Sequence, residues 1–431
     1  MSAPQYLDRL YRHDPKLMGH LEGLRALAAL RIMLYHVAVL GSLLFDKSHY
    51  IELLNNVFIK LTLATSPLLD TFFLISGLVI GHALIKEYKM TGNVNLSRFF
   101  IRRFARIYPL YIFVLVLVMP FRNHNLHSIW SNILQVNNLL PAHEQYLIWT
   151  WSLAVDCQFY IIFAVILWFL AKHIIGKKTC CALAIGFFLL PFIITPIQLT
   201  AHHYSHFSEN AYLMSSKEFW LYFDIGFDKF YVRSSPILFG VITAYLFAYQ
   251  QPKIDACLHR FKKSQINAIA LTLLGCLFFV IANDPIWFTN QTPPAWQTGT
   301  YWVIVLQRVL FSITFSLLLI LAHTPKGIVI SSLVTALKSA LLRPFGRLSY
   351  TTYLIHPIVI VPGYLIYFAT HQSVSATDYI VVGLLLVMLT YLLAVPIYLF
   401  LEQPAMDYLK QKWLGPRSEL PDAPLESKIA G

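Results

Sequence analysis

Ten stretches of nearly unbroken apolar residues, each about as long as a lipid hydrocarbon core is thick, limit what this chain can become. They fall at roughly 21–44, 62–86, 104–120, 147–171, 179–199, 233–250, 266–283, 301–322, 347–370 and 378–400. A helix rises 1.5 Å per residue, so about 20 residues cross a ~30 Å core. In that solvent the backbone N–H and C=O groups must pair within the segment, which a helix achieves. The runs are continuous rather than alternating, which argues against a membrane β-barrel. The expected fold class is all-α, a polytopic membrane protein with about ten transmembrane helices.

Composition agrees. Of 431 residues, 57% are hydrophobic and only 13% charged, against roughly 25% charged in a soluble domain. So few charges cannot cover a water-facing surface of this size. The net charge is nevertheless +12, and the placement of Lys and Arg accounts for it. With the N-terminus inside, 25 of the 33 fall on one side of the membrane. Lys47, Lys60, Arg122, Lys217, Lys229 and Arg233 fall on the other, and Arg31 and Arg308 lie within helices. Cytoplasmic loops carry the excess of Lys and Arg, so both termini are expected in the cytoplasm. The basic balance then calls for no nucleic acid partner. Cys157, Cys180, Cys181, Cys257 and Cys276 show neither metal-ligand spacing nor a disulfide framework. The first 20 residues lack the apolar core of a cleavable signal peptide. The expected division is a cytoplasmic segment over 1–20, a transmembrane domain over 21–403 and a cytoplasmic tail over 404–431.

Ionisable side chains inside the apolar runs are costly and point to function by default. His36 lies eight residues before the outer end of the first run. Asp70 lies eight residues into the second, Asp156 nine into the fourth and Arg308 seven into the eighth. All four fall within about one helical turn of the same depth, with His36 ~12 Å from the outer end. His356 and Arg31 sit nearer the midplane. Each has a plainer alternative: a His that only packs, or an Asp–Arg pair that neutralises itself and locks two helices. Arg25 and His36 are eleven residues apart, close to three turns, so they share one helix face ~16 Å apart along the axis. That face suits a ligand with an anionic head at the membrane boundary and a reactive end within. The segment from Arg98 through Arg102, Arg103 and Arg106 adds phosphate-binding donors at the same boundary. Its plainer reading is anchorage of a helix by positive residues. The outer segments 121–146 and 200–232 mix His, Asn, Ser and aromatic residues, as a sugar-binding surface or an interfacial aromatic belt would. His202, His203 and His206 could bind zinc weakly, and no metal is expected.

The first run reads Leu21-Glu-Gly-Leu-Arg25-Ala-Leu-Ala-Ala-Leu and then Tyr35-His36. This resembles the Arg, ten residues, His signature of the acyltransferase-3 family of membrane acyltransferases. Asp70-Thr-Phe-Phe-Leu-Ile-Ser76-Gly77 is similar to that family's second-helix motif, and Arg103-Phe-Ala-Arg106-Ile-Tyr-Pro109-Leu-Tyr111 to its Arg-rich third-helix entry. Trp151-Ser-Leu-Ala-Val-Asp156 resembles its Trp, four residues, acid motif. Ser349-Tyr350-Thr-Thr-Tyr353-Leu-Ile-His356 and Glu402-Gln-Pro404 resemble its late motifs. There are departures. Asp156 stands where most bacterial members carry Glu, Gln403 stands where a base is usual, and Arg31 is outside the pattern. Asp156 with Gln158, and Asp228-Lys-Phe-Tyr-Val-Arg233-Ser-Ser-Pro236, look more like the nose-resistant-to-fluoxetine branch.

The resemblance implies a cytosolic acyl-CoA donor, acetyl-CoA by default, and an acceptor hydroxyl reached from the outer side, often a sugar of a cell-envelope glycan. His36 is then the expected general base, since an imidazole of ordinary pKa near 6.5 is neutral and basic at working pH. A covalent acyl-His36 intermediate is the variant on that scheme. Asp156 is expected to orient the ring, with Asp70 as second choice. Arg308 is expected to stabilise the oxyanion or to pair with an Asp. Arg25, Arg103 and Arg106 are expected to hold donor phosphates. The bacterial inner membrane is the expected location, with a eukaryotic endomembrane second. The rival class is a proton-coupled small-molecule or lipid transporter, because intramembrane His, Asp and Arg also build proton relays. Neither an inverted repeat nor a matched pair of Gly/Pro-broken helices supports it.

Overall fold

A computed structural model describes residues 3–12, 19–44, 66–121, 125–201, 220–221, 223–282, 294–371 and 376–415. The principal helices are α1 (Ala3–Tyr11), α2 (Gly19–Leu44), α3 (Ser66–Thr91), α4 (Leu96–Val118), α5 (Trp151–Ala171), α6 (Lys177–Ala201) and α7 (Ser234–Tyr249). They continue with α8 (Gln251–Arg260), α9 (Lys263–Ala282), α10 (Pro294–His323), α11 (Ile328–Leu337), α12 (Leu342–Thr370), α13 (Ala376–Ile397) and α14 (Gln403–Leu414). No strand occurs among the described residues. Nine stretches of them are helical, long and apolar enough to cross a membrane. The first apolar run lies on α2, which is 26 residues long. The protein is an all-α polytopic membrane protein. The third run proves longer than it looks because α4 begins in the basic segment, at Leu96.

Side-chain patterning shows what the helices face. On α13, Val381, Leu384, Leu385, Met388, Leu389 and Leu392 are exposed, whereas Val387, Tyr391 and Ala394 are buried. The exposed positions recur at three and four residues, one helical stripe. A stripe of that size would be a liability in water and is at home against lipid.

The chain folds as two compact units. The first comprises Met1–Leu63, Ser97–Arg122 and Ser332–Gly431, and the second Ala64–Leu96 and Asn123–Ser331. In the first unit α12 packs along α2 and α13. A Cβ added to Gly346 would overlap the Glu22 carbonyl oxygen, so α2 and α12 meet backbone to backbone. Beside that crossing, Arg347 Nε donates to Glu22 Oε1 at 2.8 Å. The Tyr350 hydroxyl donates to the Ile107 carbonyl at 2.6 Å and ties α12 to α4. Helix α1 buries Tyr6 and Leu10 and is fixed through Arg9, whose Nη1 reaches Asp407 Oδ2 at 3.2 Å and Gln403 Oε1 at 3.1 Å.

In the second unit α3 and α7 form the closest helix pair. A Cβ on Gly77 would overlap the Ile237 carbonyl oxygen, and one on Gly240 would overlap that of Leu74. Small residues at such a crossing let backbones approach where lipid supplies no hydrophobic drive.

Candidate active site

In the first unit, His36 on α2 and His356 on α12 lie ring to ring, with centroids 4.5 Å apart and planes inclined by 45°. His36 Nδ1 is 3.0 Å from the Ile32 carbonyl oxygen, one turn back on its own helix. A carbonyl only accepts, so Nδ1 carries the hydrogen and Nε2 keeps its lone pair. A backbone carbonyl thus fixes the ring through Nδ1. Arg25 sits on the same helix, half-buried. Arg103 and Arg106 lie on α4, where Arg103 rests over the Phe99 ring at 5.8 Å and Arg106 is exposed. Arg106 is within electrostatic reach of Glu402 and Lys410. Glu402 closes a π-helical turn, Tyr398–Glu402, and accepts from the Thr351 hydroxyl.

The second unit holds the other predicted charges. Asp70 on α3 has Arg233 Nη1 at 2.8 Å and Arg308 Nε at 3.7 Å. Asp70 and Arg233 are 0% exposed and Arg308 3%. The π-helical turn Phe223–Phe227 supplies further acceptors, since carbonyls at the end of a helical turn lack intrahelical donors. Arg308 Nη2 donates to the Gly226 carbonyl at 3.0 Å and Arg233 Nε to that of Phe227 at 2.9 Å. Three ring faces complete the seat of Arg233: Phe227 at 4.6 Å, Trp151 at 5.2 Å and Phe73 at 5.9 Å. Arg233, counted from the sequence among the outer cations, is fully buried in an ion pair. Asp70 pairs with both Arg233 and Arg308, and the pairing of Arg308 with an Asp is one of the two arrangements expected from the sequence.

Asp156 on α5 accepts from the Ser76 hydroxyl through Oδ2 at 3.0 Å, within the second unit, so Ser76 of the second-helix motif and Asp156 of the fourth meet directly. Of the four groups expected at one depth, Asp70 is paired with Arg308 and Asp156 accepts from Ser76 in the second unit, and His36 lies against His356 in the first.

The stretch after α4, expected as an outer polar segment, folds into short helical turns around buried carboxamides. Asn138 and Gln158 exchange hydrogen bonds at 3.3 and 2.6 Å. Gln145 donates to Asp228 Oδ2 at 2.8 Å, and Lys229 Nζ lies 3.0 Å from Asp228 and 3.3 Å from Asp224. Burial pushes the Asp228 carboxyl up to about 7, with Lys229 opposing the shift. Burial raises Asp224 as well, against the pull of the same lysine. His202, His203 and His206 lie outside the described residues. Among the described residues, no group of three or more His, Cys, Asp or Glu side chains is placed to hold a metal ion.

With that geometry in view, residues 19–399 match the family described as an acyltransferase domain. The chain belongs to this acyltransferase family. It is similar to the O-acetyltransferase OatA of Staphylococcus aureus strain NCTC 8325 / PS 47, 25% identical over 417 residues that make up 92% of this chain and 58% of that protein. It is also similar to a putative O-acetyltransferase of S. aureus strain MSSA476, 31% identical over 291 residues, 63% of this chain and 42% of the relative. The chain thus spans about half the length of these relatives. No solved structure matches it.

Proposed function

We propose that this protein is a membrane O-acetyltransferase that moves an acetyl group from cytosolic acetyl-CoA to a hydroxyl of an extracytoplasmic acceptor, a sugar of a cell-envelope glycan. The observation that carries the reading is the family match over residues 19–399. Its setting is the bacterial inner membrane, with both termini in the cytoplasm.

In this scheme Arg103, Arg106 and Arg25, all in the first unit, bind the phosphates of the donor. His36 acts as general base. Its Nε2 takes the proton of the acceptor hydroxyl as the oxygen attacks the thioester carbonyl. The tetrahedral intermediate collapses with cleavage of the C–S bond, and the imidazolium returns the proton to the departing thiolate, leaving free CoA. The Ile32 carbonyl supports this role because it holds the ring in the tautomer with Nε2 unprotonated. Asp156, held by Ser76, is assigned to supply negative charge to the transfer. Asp70 and Arg308 are assigned to structure.

The test is acetyl-CoA binding and slow hydrolysis by purified protein, wild type beside His36→Ala. Binding retained with hydrolysis lost by about 10²-fold or more supports the base. Folded wild-type protein that binds no acetyl-CoA overturns the donor assignment.

A further inference from the structure

His356 is a buried titratable group that the scheme above leaves unused. It is 0% exposed, and its local chemistry follows from the residue after it. Pro357 lies inside α12 and has no N–H, so the carbonyl four residues back, Tyr353, loses its helical donor. His356 Nδ1 fills that place at 2.6 Å. The hydrogen therefore sits on Nδ1, and the lone pair on Nε2. That Nε2 is buried with no hydrogen-bond partner, whereas roughly nine in ten buried polar groups have one. Four and a half ångströms away, centroid to centroid, is the ring of His36, fixed in the same tautomer by the same device, a carbonyl of its own helix.

We infer that His356 is the positioning residue for His36, and that the two imidazoles act as a coupled pair holding one proton. This rests on the reading of His36 as the base. The packed ring of His356 sets the plane of His36. Its neutral imidazole lies against the ring on which positive charge appears when His36 takes the acceptor proton. Two imidazolium rings at this separation repel strongly in a low-dielectric interior, so protonation of one excludes protonation of the other. The pair delivers a single proton to the leaving thiolate.

The experiment compares wild type, His356→Phe and His356→Gln in lipid nanodiscs by two readouts. The first is the pH–rate profile for acetyl-CoA hydrolysis. His356→Phe keeps a ring but no acceptor, and should lower kcat at least about ten-fold with acetyl-CoA affinity unchanged. Its acid limb should be displaced. His356→Gln retains an acceptor and should recover part of the rate. The second readout is ¹⁵N-histidine NMR across the same pH range, which needs no turnover. The His36 signal should titrate with a displaced midpoint in His356→Phe. A wild-type pH–rate profile and an unmoved His36 midpoint in His356→Phe overturn the inference, even if His36→Ala abolishes hydrolysis. A displaced midpoint in a protein that does not bind acetyl-CoA supports the coupled pair and sinks only the acetyl-transfer reading. Should His356→Phe fail to fold, His356→Gln with an unmoved midpoint and wild-type rate overturns the inference equally.

Discussion

In the second unit Asp70 meets two guanidinium groups, Arg233 at 2.8 Å and Arg308 at 3.7 Å, and two backbone carbonyls and three aromatic faces surround those guanidinium groups. In the first unit His36 and His356 meet each other and one backbone carbonyl apiece. Both arrangements put ionisable groups in apolar helices. In one, the charge is matched by opposite charge and holds α3, the turn that leads into α7, and α10 together. In the other, each ring is fixed through one nitrogen and leaves its second nitrogen to accept. A charged residue in a membrane helix is therefore a weak pointer to chemistry until its partners are known.

The largest expected effect breaks the matched side. Asp70→Ala leaves two buried guanidinium groups without their carboxylate and should cost about 3–5 kcal/mol. Thermal unfolding in detergent measures it, with His36→Ala as the contrast that leaves the unfolding temperature nearly unchanged. Equal unfolding temperatures for Asp70→Ala and wild type would mean that the triad locks nothing.

Next comes Asp156, which stands between the two kinds of site. Asp156→Asn keeps the shape and loses the charge, and should lower acetyl transfer about 100-fold if charge is its contribution. Ser76→Ala removes only one hydrogen bond, roughly 1 kcal/mol, and should cost far less activity. Parallel small losses in both variants would move Asp156 to the structural side. A smaller change is expected at the donor end of the first unit. Arg103→Ala with Arg106→Ala should raise the KM for acetyl-CoA about ten-fold, the equivalent of one charge-assisted hydrogen bond. An unchanged KM would make these arginines anchors at the membrane boundary.

A last prediction concerns pH rather than a single condition, at Asp228, a carboxyl raised by burial from 3.8 to about 7. The folded state holds this proton more tightly than the unfolded chain does. Its contribution to stability is therefore full below about 3.8 and lost as pH rises to about 7. Asp228→Asn should flatten the dependence of unfolding temperature on pH over that window. A slope identical to wild type would show that Asp228 does not keep its proton.

Much of the site was legible before any tertiary contact. His36 and Arg25 stand on one helix face because eleven residues make three turns, and the lock residues Asp70 and Arg308 stood out as charges within apolar runs. The burial of Arg233 was not legible because it begins its apolar run, where a cation normally marks the water boundary. Its surroundings in Asp228-Lys-Phe-Tyr-Val-Arg233-Ser-Ser-Pro236 held the available signal. The role of Gln158 was hidden for another reason, because its partner Asn138 lies in a stretch with no periodic pattern to place it.

The sequence by itself determined the all-α membrane architecture and where its helices run. Those depend on run length against hydrocarbon thickness and on backbone pairing within each segment, both local quantities. Only the tertiary structure decided which ionisable group meets which. Asp70 and Arg233 are 163 positions apart in the chain, and His36 meets His356 because α2 and α12 pack along each other. Helix rotation and neighbour choice fix such partners, and neither is written in the periodicity of any single segment.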